Sequence, residues 1–293
     1  MPEQMALGSA DPSWMGEYRL IGRLGEGGQG VVYLATAPSG ARVVVKLLRM
    51  EGLADPAARS RLAREVNAAR TVARFCTAQV IEARLEGEQP FIVSEYVEGP
   101  TLAEHVRTRG PLSGSALDRL AIGTATALAA IHQARIVHRD FKPGNVILGP
   151  DGARVIDFGI AHDLVGDATA TAPLLGTPAF TAPEQINASA VGPAADMFAW
   201  ASTMAFAATG YSPFHGATPV AQLHQVLTVD PDLSGVPQPL GAVLARCLAK
   251  NPAHRPTAEQ VLLHLLGGVR ADASSTGSAD ALARASAYAR SVP

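Results

Sequence analysis

This sequence predicts an α+β chain of two lobes: a small antiparallel sheet with one main helix, then a larger helical lobe, with a cleft between them. Three observations carry that reading. From Tyr18 to about Val97 the segments are short, alternating and β-branched. From Thr101 onward the apolar residues recur at helical spacing. Glu98-Gly99 is a short connector between the two parts, and a cleft between such layers is a common place for a ligand.

Each element has a local cause. YRLIGRL, GVVYLAT, RVVVKLL and FIVSEYV alternate as strands do, and Pro38-Ser39-Gly40 supplies a turn between the second and third. One helical pattern interrupts them, Pro56 to Ala73, with Leu62, Val66, Ala69 and Ala73 on one face. Residues 1–17 carry Gly, Pro and Ser without a period and read as a flexible lead-in, which leaves 18–97 as the first lobe. In the second lobe, 98–268, Thr101-Leu-Ala-Glu104 is a capping-box pattern and Gly110-Pro111 stops that helix. Ser115 to Ala134 is long and rich in Ala and Leu. Two short strands, Asn145 to Leu148 and Ala153 to Ile156, flank the turn Gly149-Pro-Asp-Gly152. After a loop-like stretch from Gly159 to Thr181, helices are predicted near 194–209, 217–228, 240–249 and 257–267. Residues 269–293 have little to bury and read as a mobile tail.

Composition narrows the function classes. The 293 residues are 47% hydrophobic and 17% charged, enough for a substantial core. The 24 basic and 26 acidic residues nearly cancel, which argues against a nucleic-acid binder or a basic membrane-surface protein. Two cysteines, Cys76 and Cys247, are too few for a disulfide framework and suit a reducing compartment. The N-terminus lacks the charged and apolar regions of a signal peptide. The longest apolar stretch, Met197 to Ala208, falls short of the ~20 residues that cross a bilayer. These points together predict a soluble, cytoplasmic protein with no membrane segment. Only Lys46, Lys142 and Lys250 are lysines among the 24 basic residues, so Lys stands where a compact ammonium is wanted. Lys250 reads as a cation closing the helix Leu240 to Ala249.

Two motifs carry chemistry. Gly25-Glu-Gly27-Gly-Gln-Gly30 is followed by the alternating run Val31-Val-Tyr-Leu-Ala35, so a strand follows it, not the helix a dinucleotide fingerprint requires. Alone it is either a plain hairpin turn or a flap whose N–H groups close over phosphates. His138-Arg-Asp140-Phe-Lys142-Pro-Gly-Asn145 is far more specific, because it sets a carboxylate, an ammonium and an amide on one loop. Asp157-Phe-Gly159 follows across the strand-turn-strand.

With VVVK ending at Lys46, GTPAFTAPE and the late Arg255-Pro256, these motifs resemble the eukaryotic-type protein kinases, and more narrowly the bacterial Ser/Thr kinases of the actinobacterial kind, over roughly Tyr18 to Leu266. The resemblance implies an enzyme that transfers the γ-phosphoryl of ATP, with Mg²⁺ or Mn²⁺, to Ser or Thr hydroxyls of protein substrates. It implies that Lys46 holds the α/β-phosphates and pairs with Glu65 on the predicted helix. Gly25, Gly27 and Gly30 would cover the phosphates. Val32, Val44 and Ile147 would line the base, and Glu95 and Val97 would form the hinge edge. Asp140 would steer the acceptor hydroxyl, Lys142 would stabilise the γ-phosphoryl charge, and Asn145 and Asp157 would supply the oxygens a hard cation prefers.

Further positions follow from the same resemblance. Thr177 shapes the acceptor site, Glu184 of Ala182-Pro-Glu184 pairs with Arg255, and Asp196 holds the backbone of the catalytic loop. Thr169 and Thr171 match a double-threonine phosphosite, with Arg139 as partner for the phosphate; Arg61, on the predicted helix one turn before Glu65, offers a second partner by its position. Two positions depart from the usual pattern: Val44 adds bulk to one pocket wall and Ser94 removes it from another, an exchange expected to compensate in volume. The resemblance also admits a homodimer through the sheet lobe. It admits a membrane tether too, if residues 269–293 begin a juxtamembrane linker. A small-molecule phosphotransferase is the weaker enzyme reading, because a small acceptor needs no peptide-docking segment. An inactive scaffold would be expected to have lost Lys46, Asp140, Asn145 or Asp157, and all four are present.

Overall fold

Extended chains place successive side chains on opposite faces, and that alternation builds the first lobe. The computed structural model describes residues 5–27, 30–49, 55–70, 72, 75–87, 89–157 and 178–267. Six strands form one antiparallel sheet: β1 (Trp14–Met15), β2 (Tyr18–Gly27), β3 (Gly30–Thr36), β4 (Arg42–Leu48), β5 (Val80–Arg84) and β6 (Phe91–Glu95), in the order β1-β2-β3-β4-β6-β5. Along β4, Val43 and Val45 are buried while Val44 and Lys46 are half-buried. The Val43/Val45 face has its own core with Leu20, Tyr33, Ala35, Phe91 and Val93. The opposite face carries Val44 and Lys46.

The lead-in is not loose from Met5 onward, which corrects the expectation for residues 1–17. Leu7 and Met15 pack on the Val43/Val45 core. Met5 exchanges two backbone hydrogen bonds with Arg23, of 2.9 and 3.0 Å. Asp11 Oδ1 accepts from Arg23 Nη2 at 2.7 Å and from the Tyr33 hydroxyl at 2.8 Å. The physical reason is that, among the described residues, no helix packs on this face of the sheet. Covering its large side chains is worth about 1.5–3 kcal/mol each. Met5, Leu7 and Met15 show no period because Gly8, Pro12 and Ser13 turn the chain between them.

Helix α1 (Pro56–Ala69) starts where Asp55 Oδ1 accepts from Ala57 N at 2.9 Å and where Pro56 has no N–H to leave unpaired. Ala58, Leu62, Val66 and Ala69 form its buried stripe. It stops four residues short of the expected Ala73. There Val72 N–H turns back to the Ala69 carbonyl, and Val72 and Cys76 continue the same core without helical geometry.

The second lobe opens with α2 (Leu102–Arg109), whose capping box is complete. Thr101 Oγ1 accepts from Glu104 N at 3.1 Å, and Glu104 Oε2 accepts from Thr101 N at 2.9 Å. Helices α3 (Gly114–Gln133) and α5 (Pro193–Thr209) are apolar nearly all round, the pattern of central helices. A hairpin, β7 (Val146–Gly149) with β8 (Gly152–Val155), packs on α3. Helices α4 (Pro183–Ile186), α6 (Pro219–Thr228), α7 (Leu240–Cys247) and α8 (Ala258–Leu265) complete the lobe.

The lobes meet at the connector. Gly99 has φ +138°, and a Cβ there would collide with the Leu148 carbonyl oxygen, so glycine lets the chain pass close over β7. Ala78, Val97 and Ile147 form a small apolar cluster beside it. No helix among the described residues is long and apolar enough to cross a membrane. Phe158, Gly159, Thr169, Thr171, Thr177 and residues 269–293 lie outside the described residues.

Candidate active site

The loop after α3 is built on one buried carboxylate. Asp196, in the first turn of α5, accepts from His138 N and Arg139 N, each at 2.8 Å, and from His132 Nε2 at 2.8 Å. A carboxylate so fully hydrogen-bonded is tolerated in the interior, and the helix N-terminus favours its charge. This is the anchoring role expected of Asp196. Arg139 has φ +62°, left-handed for a residue with a side chain. Such a conformation costs of order 1–3 kcal/mol and persists only where neighbours hold it. His132, in the last turn of α3, escaped the sequence reading because a lone helical His carries no signal.

His138 is fully buried in the same knot. Its Nε2 lies 3.1 Å from the Ile156 carbonyl, which can only accept, so Nε2 carries the proton and Nδ1 faces the Asp140 N–H at 3.4 Å. Burial holds the imidazole below its ordinary 6.5, although Asp196 and Asp140 pull the other way. The unfolded chain takes up a proton near 6.5 while the folded chain resists until lower pH. This group's contribution is therefore fully present above about pH 6.5 and is lost as pH falls. Urea unfolding midpoints are expected to drop between about pH 7.5 and 5, and His138→Gln, which does not titrate, should lose part of that slope. Parallel slopes in the two proteins would refute the assignment.

Beyond this knot the side chains expected to carry the chemistry converge. Lys142 Nζ donates to both oxygens of Asp140, at 2.9 and 2.8 Å. Asn145, closing the 3₁₀ turn Pro143–Asn145, donates through Nδ2 to Asp140 O at 2.8 Å and to Asp140 Oδ2 at 3.1 Å. The Asn145 carbonyl accepts from Ile156 N at 3.0 Å, which places Asn145 beside Asp157 at one end of the hairpin. Asp157 has φ +53°, and its Oδ1 lies 3.9 Å from Lys46 Nζ. The Nδ2 of Asn145 is used by Asp140, so Oδ1 is the atom it offers a cation. With the Asp157 carboxylate it makes a sparse oxygen set, one that suits Mg²⁺ sharing its shell with phosphate and water. Among the described residues no cluster of three His, Cys, Asp or Glu side chains could hold a metal unaided.

The side that the resemblance assigns to a nucleotide is assembled by strand register. Val32 pairs with Lys46 across β3 and β4, and Val44 pairs with Ser94 across β4 and β6. The two positions expected to exchange volume are therefore direct neighbours. Val97 packs on Ile147. A Cβ at Gly30 would strike the Leu47 carbonyl, whereas one at Gly25 or Gly27 would meet nothing within 4 Å. Packing thus demands glycine at Gly30, whereas the space beside Gly25 and Gly27 is open. Glu65 sits half-buried on α1. The Glu95 side chain is committed to Arg154 Nη2 at 2.6 Å, so what Glu95 offers a ligand is main chain.

An ion pair ties α4 to the segment that precedes α8. Arg255 Nη1 and Nη2 donate to the two oxygens of Glu184 at 2.7 and 2.9 Å, as the resemblance implied. Lys250 corrects an expectation. It lies past the end of α7, and its Nζ donates to the Val226 carbonyl in the last turn of α6 at 2.7 Å, over the Phe214 ring. Burial pushes its ammonium down to about 8.

Comparison with known proteins gives a consistent picture. The protein kinase domain family matches residues 18–266. The probable serine/threonine-protein kinase PkwA of Thermomonospora curvata is 44% identical over 260 residues, covering 88% of this chain and 35% of that protein. The serine/threonine-protein kinase AfsK of Streptomyces coelicolor is 43% identical over 275 residues, covering 92% and 34%. The chain therefore spans about a third of the length of the curated relatives it matches. The crystal structure of the Mycobacterium tuberculosis PknI kinase domain superposes with a TM-score of 0.66 at 27% identity, covering 90% of this chain and 100% of that one.

Proposed function

Because this chain belongs to the protein kinase domain family, we propose that it is an ATP-dependent serine/threonine protein kinase. The observation that carries the reading is the Lys142 ammonium on both oxygens of Asp140, with Asn145 on the same turn. Phosphoryl transfer asks a protein mainly to align an acceptor oxygen and to neutralise spreading charge. Asp140 accepts the hydroxyl hydrogen bond of a protein Ser or Thr and takes its proton as the oxygen attacks. Lys142 stabilises the equatorial oxygens of the moving group. Lys46, partnered by Glu65, orients the α/β-phosphates under the Gly25–Gly30 flap. Asn145 and Asp157 would hold Mg²⁺ or Mn²⁺, which would supply positive charge against the phosphates. Val32, Val44 and Ile147 face the base, and the main chain of Glu95 and Val97 meets its edge.

The reading is tested by incubating the chain with labelled ATP and Mg²⁺ and a Ser/Thr peptide library, then mapping the labelled residues. Label on Ser or Thr supports it. Label on tyrosine alone, or none, would sink it.

Regulation follows from charge. The segment from Asp157 to Glu184 contains no Lys or Arg, so a phosphate on Thr169 or Thr171 would draw its countercharge from Arg139 and from Arg61 on α1. The double variant Thr169→Ala, Thr171→Ala is expected to lower activity on a separate substrate by the range usual for such coupling, roughly 5- to 150-fold. Full activity in that variant would remove the switch from the account.

A further inference from the structure

We infer, resting on the kinase reading above, that Gln185 is a positioning residue that couples the Ala182-Pro-Glu184 end of the acceptor segment to the catalytic Asp140. Its amide is a two-sided clamp. Nε2 donates to the Arg139 carbonyl at 2.8 Å, and Oε1 accepts from Ala182 N at 3.1 Å. Both partners are main chain, one able only to accept and the other only to donate, so they fix which way the amide faces.

What Gln185 holds is the peptide unit that aims Asp140. Arg139 sits at the centre of a three-residue turn closed by Asp140 N–H to the His138 carbonyl at 2.8 Å, with φ +62°. A three-residue turn with positive φ at its centre is rare and strained. Its geometry is held from three directions. Asp196 of α5 takes the Arg139 N–H at 2.8 Å, His138 takes the Asp140 N–H, and Gln185 of α4 gives a hydrogen to the Arg139 carbonyl. Two of those bonds, the ones from Gln185 and to His138, lie on the same peptide plane, the plane that precedes the Asp140 Cα. Turning that plane swings the carboxylate away from Lys142 and Asn145.

The other end of the clamp is equally fixed. Ala182 is fully buried, and Glu184 is tied to Arg255 by two hydrogen bonds. Gln185 thus registers the segment that docks an acceptor with the residue that receives the acceptor's proton. A glutamate of the same shape cannot do this, because its oxygen would face the Arg139 carbonyl oxygen without a hydrogen between them.

The test compares wild type, Gln185→Leu and Gln185→Glu in steady-state transfer to a Ser/Thr peptide, with Asp140→Asn as the blank. Melting temperature and Mg²⁺·ATP affinity are measured beside it. The kcat is expected to fall roughly ten- to a hundredfold in both variants, as a small misplacement of a catalytic group does. The KM for ATP should stay within about twofold, because the clamp touches nothing on the nucleotide side. A merely structural Gln185 would instead shift melting and leave kcat at temperatures where the protein is folded. Should either variant fold poorly, Gln185→Met, which keeps the length and loses the polar atoms, takes its place with the same expectation. Unchanged kcat, or a kcat loss that tracks ATP affinity, overturns the inference alone. A wild type that transfers nothing overturns the kinase reading with it.

Discussion

Asp140→Asn is expected to slow phosphoryl transfer by about 10²–10⁴-fold, the range a positioned general base contributes. Nucleotide affinity and folding stability should remain close to wild type. Asp140 is a partly exposed group, with a side chain 38% accessible, so losing its charge removes little stability. The catalytic loss is large because the amide can neither take the acceptor's proton nor keep both hydrogen bonds to Lys142, which now reach one oxygen each. An amide NH₂ facing the ammonium also pushes Lys142 away from the transferring group. Single-turnover transfer under saturating ATP and Mg²⁺ gives the chemical step directly. A rate within about tenfold of wild type would remove the base from the mechanism.

The meeting of Asp140, Lys142 and Asn145 was legible because their spacing is local. Asp140, Lys142 and Asn145 lie within six positions of one loop, and their side chains meet in the structure as that spacing suggests. The Glu184–Arg255 and Asp196 contacts are long-range, separated by 71 and 57–58 residues, and only a family pattern could pair them in advance. His132 and Gln185 were not legible. His132 acts through one hydrogen bond and Gln185 through two, each to groups whose positions depend on the whole fold, and neither residue type is unusual on a helix.

The fold divides in the same way. Strand alternation in RVVVKLL predicted both faces of β4, and the Thr101–Glu104 box appeared with both bonds made. Residues 5–15 were misread because irregular chain can be ordered by what it covers, and the uncovered Val43/Val45 face of the sheet is a tertiary fact. The overlong α1 and the misplaced partner of Lys250 share a cause. Periodicity continues past the point where the chain finds a better contact elsewhere, in one case the Val72–Cys76 core and in the other the C-terminal carbonyls of α6.

Arg255→Met is expected to destabilise the chain by about 3–5 kcal/mol, the cost of leaving one partner of a buried pair uncompensated. Glu184 has a side chain only 6% accessible, and Arg255 is fully covered. The guanidinium has five N–H groups and all five are used: Nε on the Ala249 carbonyl, Nη1 on Glu184 and the Ala194 carbonyl, Nη2 on Glu184 and the Lys250 carbonyl, while its Cζ lies 5.0 Å from the centre of the Phe198 ring. Lysine offers three donors in no fixed plane, so Arg255→Lys should recover only part of the loss. The thermodynamics separate the pair from its packing. Adding Glu184→Leu to Arg255→Met removes the stranded charge, and the double variant is expected to be more stable than Arg255→Met alone. Urea unfolding followed by far-UV circular dichroism measures all four proteins. If Arg255→Met lies within about 1 kcal/mol of wild type, as a surface pair would, then Glu184 is reaching water and α4 is not pinned. In that case the clamp that Gln185 makes from the next position would have nothing rigid to pull against.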